Sequence, residues 1–350
     1  STPGDRPTVA INRSFLVNTY YPLYSTFFNE LGFDLILPDQ PSREGIDQRN
    51  APFCYPVELA HGFFYSLLNT ESRPDYLFLP HFKAIPIQNG NSSSQLCPLV
   101  QGEPFYLGST FKGQIDKLTL QGMKVLAPML DITAGLSAVE KPFLDTAREM
   151  GIGRREAKKA FAKAIARQSA CHAEMKTVGK MVLAELAENP ERMAVVLCGR
   201  PYHAFSEEAH MGIPHKFASR GVMIIPLDFM DIQNETGRRH MYWGMGQMIL
   251  MAAKVVQRHR QLFGTYITNF SCGPDSFVIG YFRTLMGRKP SLTLELDSHT
   301  ADAGLETRIE AFLDIVTAYR KLESRGINTV LPKTFVPAQT TLEKGRPHVV

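Results

Sequence analysis

Short apolar runs alternate with amphipathic stretches along most of the chain, a pattern typical of α/β proteins. The runs are rich in Val, Ile and Leu and are apolar throughout, rather than at every second position. Such runs are typical of parallel strands buried on both faces of a sheet. We predict two doubly wound parallel-sheet lobes, with strands at 8–12, 34–38, 75–80 and 124–128 in the first and at 194–199, 222–227, 265–270 and 291–296 in the second.

Helices are predicted between these strands, at 22–31, 57–68, 208–219, 240–262, 275–285 and 305–322. Between the lobes, Gly151 and Gly153 separate a short helix from a long one over 154–188, whose polar face suits a helix that joins the two lobes. The predicted domains are an N-terminal lobe (1–145), a linking helix with the C-terminal lobe (146–322), and a tail or linker (323–350).

Composition and charge exclude several classes of protein. Of the 350 residues 44% are apolar, which allows a substantial core and excludes wholesale disorder. No apolar run approaches the roughly 18 residues of a membrane span, and the N-terminus lacks a signal-peptide pattern. The 38 Lys and Arg against 34 Asp and Glu leave a net charge of +4 without a basic stripe, which argues against nucleic acid as a partner.

Five cysteines are too few for a disulfide scaffold, and the number is odd. We therefore expect a reduced, cytoplasmic protein. The chain opens on Ser1 instead of Met and closes on a polar tail that contains prolines. Two interpretations stay open: a segment of a longer polypeptide, or removal of the initiator Met with an ordinary frayed tail.

Three cysteines lie in loops beside Pro or Gly: Cys54, Cys97 and Cys272. Cys54 and Cys272 precede predicted helices, where the free N–H groups and the helix dipole are expected to lower a thiol pKa. Three thiolates from separate segments suit a [4Fe–4S] cluster with one iron left open, although four cysteines are the norm. Inert buried thiols are an alternative, and so is zinc, although close C-x-x-C pairs are missing. Cys171 and Cys198 are predicted to serve packing.

The stretch GRPYH at 199–203 directly follows a predicted strand. In parallel sheets ligands bind at the carboxyl ends of the strands, so Arg200 can clamp an anion and His203 can transfer a proton there. The alternative is a turn with solvated side chains. The stretch is neither a phosphate-binding P-loop nor a G-x-G-x-x-G motif, so the sequence shows no ATP site of its own. His61, two helical turns after Cys54, is a weaker site candidate, and Tyr20 can line the same cleft or simply pack.

Six segments together resemble the uncharacterised domain of large proteins related to acyl-CoA dehydratase activases. This family is related to 2-hydroxyacyl-CoA dehydratase subunits and to double-cubane cluster proteins. The resemblance covers about residues 6–322 and rests on FFNELGF at 27–33, CYPVELAHG at 54–62, CP at 97–98, GRPYH at 199–203, HMGIP at 210–214 and SCGPD at 271–275.

The resemblance implies Rossmann-like lobes with a [4Fe–4S] cluster at the cleft between them, held by Cys54, Cys97 and Cys272. It implies Arg200, Tyr202 and His203 as catalytic or substrate-facing residues. It also implies an ATP-dependent activase of the actin/Hsp70-like superfamily as a separate or fused partner, and a second copy or a related subunit. Because the chain has only three well-placed cysteines, a double cubane in one chain is not expected.

The sequence therefore predicts an iron–sulfur component of a reductase or dehydratase-like system that accepts electrons from an ATP-dependent activase. Two alternatives stay open. One is a module that binds a small anionic molecule without redox chemistry. The other is a structural domain of a larger fusion protein.

Overall fold

The structure is a computed structural model and describes residues 6–49, 54–70, 73–87 and 94–327. Most of the Ser/Asn-rich loop predicted at 88–95 and most of the tail predicted at 323–350 lie outside the described residues.

The described residues form a mixed α/β fold with parallel sheets. The strands are β1 (Thr8–Ile11), β2 (Asp34–Ile36), β3 (Tyr76–Phe78), β4 (His81–Ala84), β5 (Lys124–Leu126), β6 (Met129–Asp131), β7 (Ala194–Cys198), β8 (Met223–Pro226), β9 (Leu262–Asn269) and β10 (Ser291–Leu296). They pair in the orders β2-β1-β3-β5, β10-β9-β7-β8 and β4-β6. Every one of these pairings is parallel.

Fourteen α-helices occupy the described residues between and after the strands. They are α1 (Val17–Glu30), α2 (Arg43–Asp47), α3 (Tyr55–Leu68), α4 (Pro98–Gln101), α5 (Glu103–Thr110), α6 (Lys112–Leu120), α7 (Glu140–Glu149), α8 (Arg154–Glu188), α9 (Pro201–Ala204), α10 (Glu207–His210), α11 (Ile213–Ala218), α12 (Gly244–Arg258), α13 (Gly273–Met286) and α14 (Asp302–Ser324). Two 3₁₀ turns lie at Leu136–Val139 and Leu227–Phe229. Among the described residues, none of the helices has both the length and the apolar character needed to cross a membrane.

All eight predicted strands are confirmed, and α8 begins and ends at the predicted residues. The helix predicted at 208–219 is wrong, because Met211 and Gly212 both adopt left-handed backbone (φ of 51° and 70°) and divide it into α10 and α11. The helix predicted at 240–262 covers only Gly244–Arg258, because the chain enters the strand β9 at Leu262. The small sheet β4-β6 and the helices α2, α4 to α6 and α9 were not predicted from the sequence.

The long helix α8 contacts elements associated with both four-stranded sheets. Near its start, Phe161 packs on Phe143 of α7 with ring centroids 5.1 Å apart, and Phe143 packs on Phe27 of α1 at 4.8 Å. Further along, Gly179 lies against the 3₁₀ turn that follows β8, where a Cβ atom would stand 2.1 Å from the Phe229 carbonyl oxygen. Any other residue at 179 would therefore push the helix and this turn apart.

Candidate functional site

The candidate site lies at the carboxyl ends of β7 and β9, two paired strands in the middle of the second sheet. The chain leaves β7 toward β8 on one side and returns to β9 on the other. This change of direction is the point where parallel sheets usually bind ligands. Arg200 follows β7, and Cys272 follows β9.

Each of the three cysteines of the predicted site stands immediately before a helix. Cys54 precedes α3, Cys97 precedes α4, and Cys272 precedes α13. In each helix a proline occupies the first or second position, which pre-sets the helical turn. The backbone N–H groups at such a helix start have no partner within the helix, so they are available to a negatively charged sulfur. At Cys272 the Asp275 N–H donates to Sγ at 3.4 Å.

Contacts between distant segments bring these helix starts together. Asn269, the last residue of β9, accepts a hydrogen bond from the Tyr55 N–H through Oδ1 at 2.9 Å. The carbonyl oxygen of Asn269 accepts from the Cys272 N–H at 3.1 Å. One buried asparagine therefore connects the helix start that carries Cys54 with the turn that carries Cys272.

The three thiols are also close enough to influence each other electrostatically. Cys97 contributes to raising the pKa of Cys54, and Cys54 contributes to raising the pKa of Cys272. Among the described residues, however, no group of three or more His, Cys, Asp or Glu side chains could hold a metal ion.

Burial outweighs the helix dipole in setting the acidity of these thiols. Desolvation raises the pKa of Cys54 to about 11, although Arg200 and the Val57 N–H oppose the rise. Desolvation likewise raises the pKa of Cys272 to about 12, against the lowering effect of Arg200. The expected lowering of the thiol pKa at a helix start is therefore wrong for these two residues in the metal-free protein. A bound metal would have to displace their protons.

Arg200 is buried at the centre of the site and has its own partners. Its Nη2 donates to Asp275 Oδ2 at 2.7 Å and to Cys272 Sγ at 2.9 Å. Its Nη1 donates to the Tyr202 hydroxyl at 3.3 Å. Thr268 donates a further hydrogen bond to Asp275 Oδ2. Because the guanidinium is already paired with a carboxylate, it is not free to clamp an anionic ligand.

Tyr202 and His203 are buried in the short helix α9, next to Arg200. The Tyr202 ring packs edge-on against Phe15, with centroids 5.2 Å apart. Both ring nitrogens of His203 are buried without a hydrogen-bond partner, and burial lowers the pKa of His203 to about 3, so the ring is neutral. The catalytic role predicted for these residues stays a prediction.

His61 packs behind the site. Its Nδ1 lies 2.8 Å from the Val57 carbonyl oxygen, and its ring stacks on Tyr106 at 5.4 Å. The Tyr106 hydroxyl is buried and unpartnered, and Cys54 and Cys97 contribute to raising its pKa, after burial and Glu103.

Four residues near the site escaped the sequence analysis: Asn269, Asp275, Tyr106 and Glu103. Glu103 is a buried carboxyl that accepts hydrogen bonds from Asn12 (2.9 Å) and Ser14, and desolvation raises its pKa to about 7. Asn269 and Asp275 lie beside Cys272 at the end of a predicted strand, which was the available signal. Glu103 and Tyr106 lie in a segment for which no helix was predicted.

The remaining cysteines differ in their surroundings. Cys198 is fully buried in β7, as its predicted packing role requires, and desolvation raises its pKa to about 12. Cys171 is half-buried on α8 and lines a cavity. All five cysteines are free thiols.

A comparison with protein families matches residues 8–230 to the CoA enzyme activase uncharacterised domain (DUF2229). The chain belongs to this family. The matched range includes Cys54, Cys97 and Arg200, whereas Cys272 and Asp275 lie beyond its end. The search of curated proteins found no match.

Proposed function

We propose that this member of the CoA enzyme activase domain family is an iron–sulfur protein. In this proposal Cys54, Cys97 and Cys272 hold a [4Fe–4S] cluster at a cleft between two Rossmann-like lobes. The protein acts as the electron-accepting, reductase or dehydratase-type component served by an ATP-dependent activase. The observation that carries the proposal is the shared position of the three thiols, each at a proline-containing helix start and each half-buried.

Unpartnered buried polar atoms near the thiols support a missing group. They are the Tyr106 hydroxyl, Nε of Arg200 and both ring nitrogens of His203. Buried polar groups in folded proteins normally have partners, so these unpaired ones are available to a further group. The donor set also fits, because thiolates are the usual ligands of such clusters.

Zinc is less well supported than a cluster. Tetrahedral zinc binds thiolates at about 2.3 Å, which requires its ligand sulfurs to stand about 4 Å apart. The chain also lacks the close C-x-x-C pairs of structural zinc sites, whereas the absence of a metal-holding group among the described residues bears on zinc and on a cluster alike. In a cluster each thiolate binds a different iron, so the sulfur atoms are further apart. The anion-binding alternative loses its main argument, since Arg200 is paired with Asp275.

A bound [4Fe–4S] cluster would supply one-electron transfer at low potential and an open iron that acts as a Lewis acid. The chain's own residues orient the ligands and set their surroundings. Asn269 joins two ligand-bearing segments, and the charge of Arg200 stabilises the thiolate of Cys272. The buried Tyr202 ring and the buried Tyr106 hydroxyl limit access of water.

Exposed phenylalanines beside Cys272 support a protein partner. Phe270 and Phe277 flank this cysteine in the sequence and are 58% and 70% exposed. Large exposed apolar side chains are typical of contact surfaces when they cluster. We propose that the activase docks here to deliver its electron. Free cysteines suit a cytoplasmic setting.

Anaerobic purification tests the cluster. The protein is expected to be brown, to absorb broadly near about 400 nm, and to contain about four irons and four sulfides per chain. Cys54→Ser, Cys97→Ser and Cys272→Ser should each lose this absorbance. Cys171→Ser and Cys198→Ser are the matched controls and should keep it.

Colourless, iron-free protein from a strictly anaerobic preparation would refute the proposal. Stoichiometric zinc in place of iron would favour the structural-domain alternative. If the control substitutions cost as much iron as the three ligand substitutions, the ligand assignment is wrong.

A further inference from the structure

A cavity of about 690 Å³ lies beside α8, on the side where the α1 segment and α12 approach it. Its volume is within the range of about 300–1,000 Å³ that small-molecule sites occupy. Cys54, Cys97 and Cys272 are not among its lining residues. The cavity is partly open to solvent, so a small molecule can enter it.

Most of the cavity wall is apolar. One side is formed by Met245, Met248 and Met251, which share a face of α12 at a spacing of three residues. Methionine side chains are flexible and polarizable, so such a wall adapts to the shape of an apolar chain. The rest of the apolar wall comes from other elements, with Phe15, Ile85, Ile87, Met175, Phe205, Phe229 and Ile232.

A small polar patch stands among these apolar side chains. Lys176 donates from Nζ to the carbonyl oxygens of Asp228 (2.7 Å) and Met230 (2.6 Å), which leaves one of its three N–H donors. Tyr20 is 6% exposed; its backbone N–H donates to the Leu16 carbonyl oxygen, whereas its hydroxyl forms no hydrogen bond with the described residues. Two donors are therefore available at this patch, which suits a ligand with a hydrogen-bond acceptor.

The charges of the lining residues select against an ionised ligand. Lys176 is the only Lys or Arg in the described lining, and Asp228 is the only acidic residue. His172 adds no charge, since burial and the nearby Lys176 lower its pKa. A carboxylate or an ammonium at the patch would meet one opposite and one like charge, so neither gains a net attraction that offsets the loss of its hydration. An uncharged polar group loses less hydration on entering this partly desolvated site.

We propose that this cavity binds an uncharged, mainly apolar carbonyl compound, whose oxygen accepts hydrogen bonds from Lys176 and Tyr20. The apolar body of the ligand lies against the methionine face of α12. The inference does not rest on the proposed cluster, because none of the three cysteines forms part of the cavity wall.

Isothermal titration of the full chain with three probes of similar length tests the chemistry of the head group. Methyl hexyl ketone is expected to bind at least about tenfold more tightly than octanoate or octylamine, because each charged probe loses its hydration without gaining a net counter-charge. Equal or weaker binding of the ketone would overturn the proposal.

Variants locate the ligand. Met248→Trp fills the cavity and should abolish ketone binding, whereas Met181→Trp on the exposed part of α8 should leave it unchanged. Tyr20→Phe removes only a hydroxyl and is expected to weaken ketone binding about threefold to tenfold. Lys176→Met removes a charged donor and should also weaken binding. If Lys176→Met does not fold, Tyr20→Phe still tests the polar patch. Unchanged ketone affinity in Met248→Trp or in Tyr20→Phe would overturn the assignment.

Cys171 gives an independent readout of position, because it is half-buried and lines the cavity. Saturating ketone should slow its alkylation by N-ethylmaleimide, measured by peptide mass spectrometry. Alkylation that proceeds at the same rate with and without ketone would contradict binding at this site.

Discussion

The buried ion pair between Arg200 and Asp275 is the feature of the site with the largest expected effect on stability. Nη2 and Oδ2 stand 2.7 Å apart, and the two side chains are 5% and 4% exposed. Arg200→Met removes the cation and leaves the Asp275 carboxylate buried, with Thr268 as its remaining side-chain donor. Leaving one partner of such a pair uncompensated costs about 3–5 kcal/mol. We expect this loss in the free energy of unfolding of the metal-free protein.

The assay is reversible urea unfolding followed by far-UV circular dichroism. Asp275→Asn should lose a similar amount, because the guanidinium then remains buried without its counter-charge. The double variant Arg200→Met with Asp275→Leu should lose clearly less than the sum of the single changes, since no charge stays buried. The exposed pair Lys112–Asp116 is the matched control, and Lys112→Met should cost less than about 0.5 kcal/mol.

Two results would refute this reasoning. One is a loss below about 1 kcal/mol in Arg200→Met, which would mean that water reaches the pair and screens it. The other is additivity of the single and double variants, which would mean that the two side chains act independently.

Three further predictions concern neighbouring residues. The Glu103 carboxyl binds its proton more tightly in the folded state (pKa about 7, against an ordinary 4.5), so its contribution to stability is complete at low pH and is lost as the pH rises through about 7. The free energy of unfolding, measured by urea titration, should be up to about 3 kcal/mol lower at about pH 8 than at about pH 5 in the wild type, and this difference should be much smaller in Glu103→Gln. Asn269→Ala leaves the Tyr55 N–H unpaired and should lower the free energy of unfolding in urea by about 1–3 kcal/mol. The control Asn189→Ala, at an exposed residue, should lower it by well under about 1 kcal/mol. Equal losses would contradict the linking role of Asn269. His203→Leu removes two unpartnered buried nitrogens, so it should change the free energy of unfolding of the metal-free protein by less than about 1 kcal/mol. A loss above about 2 kcal/mol in thermal unfolding would show that one of these nitrogens forms a hydrogen bond.

Membership of the CoA enzyme activase domain family covers the first sheet and the strands β7 and β8, but not the segment of Cys272. The proposed ligand set therefore combines two cysteines inside the family match with one beyond it. Metal analysis of Cys272→Ser decides whether the segment after residue 230 is part of the same site.

Local patterning accounts for most of the secondary structure that was predicted correctly. The strands β7 and β9 of the second sheet are buried along their whole length, so they appear in the sequence as continuous apolar runs. The helix α8 is bounded by Gly153 and Asn189, and apart from Gly179 the residues between them are compatible with a helix. The break between α10 and α11 was missed because Met211, a residue that rarely adopts positive φ, takes the left-handed conformation there.

The sequence by itself determined the class of fold and the position of the three cysteines at loop ends. It also distinguished Cys198, a thiol buried in a strand, from these three. Only the tertiary structure decided what surrounds them. Asn269 and Tyr55 are 214 residues apart, so no local pattern could pair them. Burial raised the pKa of the Cys54 and Cys272 thiols against the local effect of the helix start. The tertiary fold also places Arg200 beside Asp275, 75 residues away in the sequence. Desolvation and long-range contacts depend on how segments pack together, and packing is not encoded in the spacing of neighbouring residues.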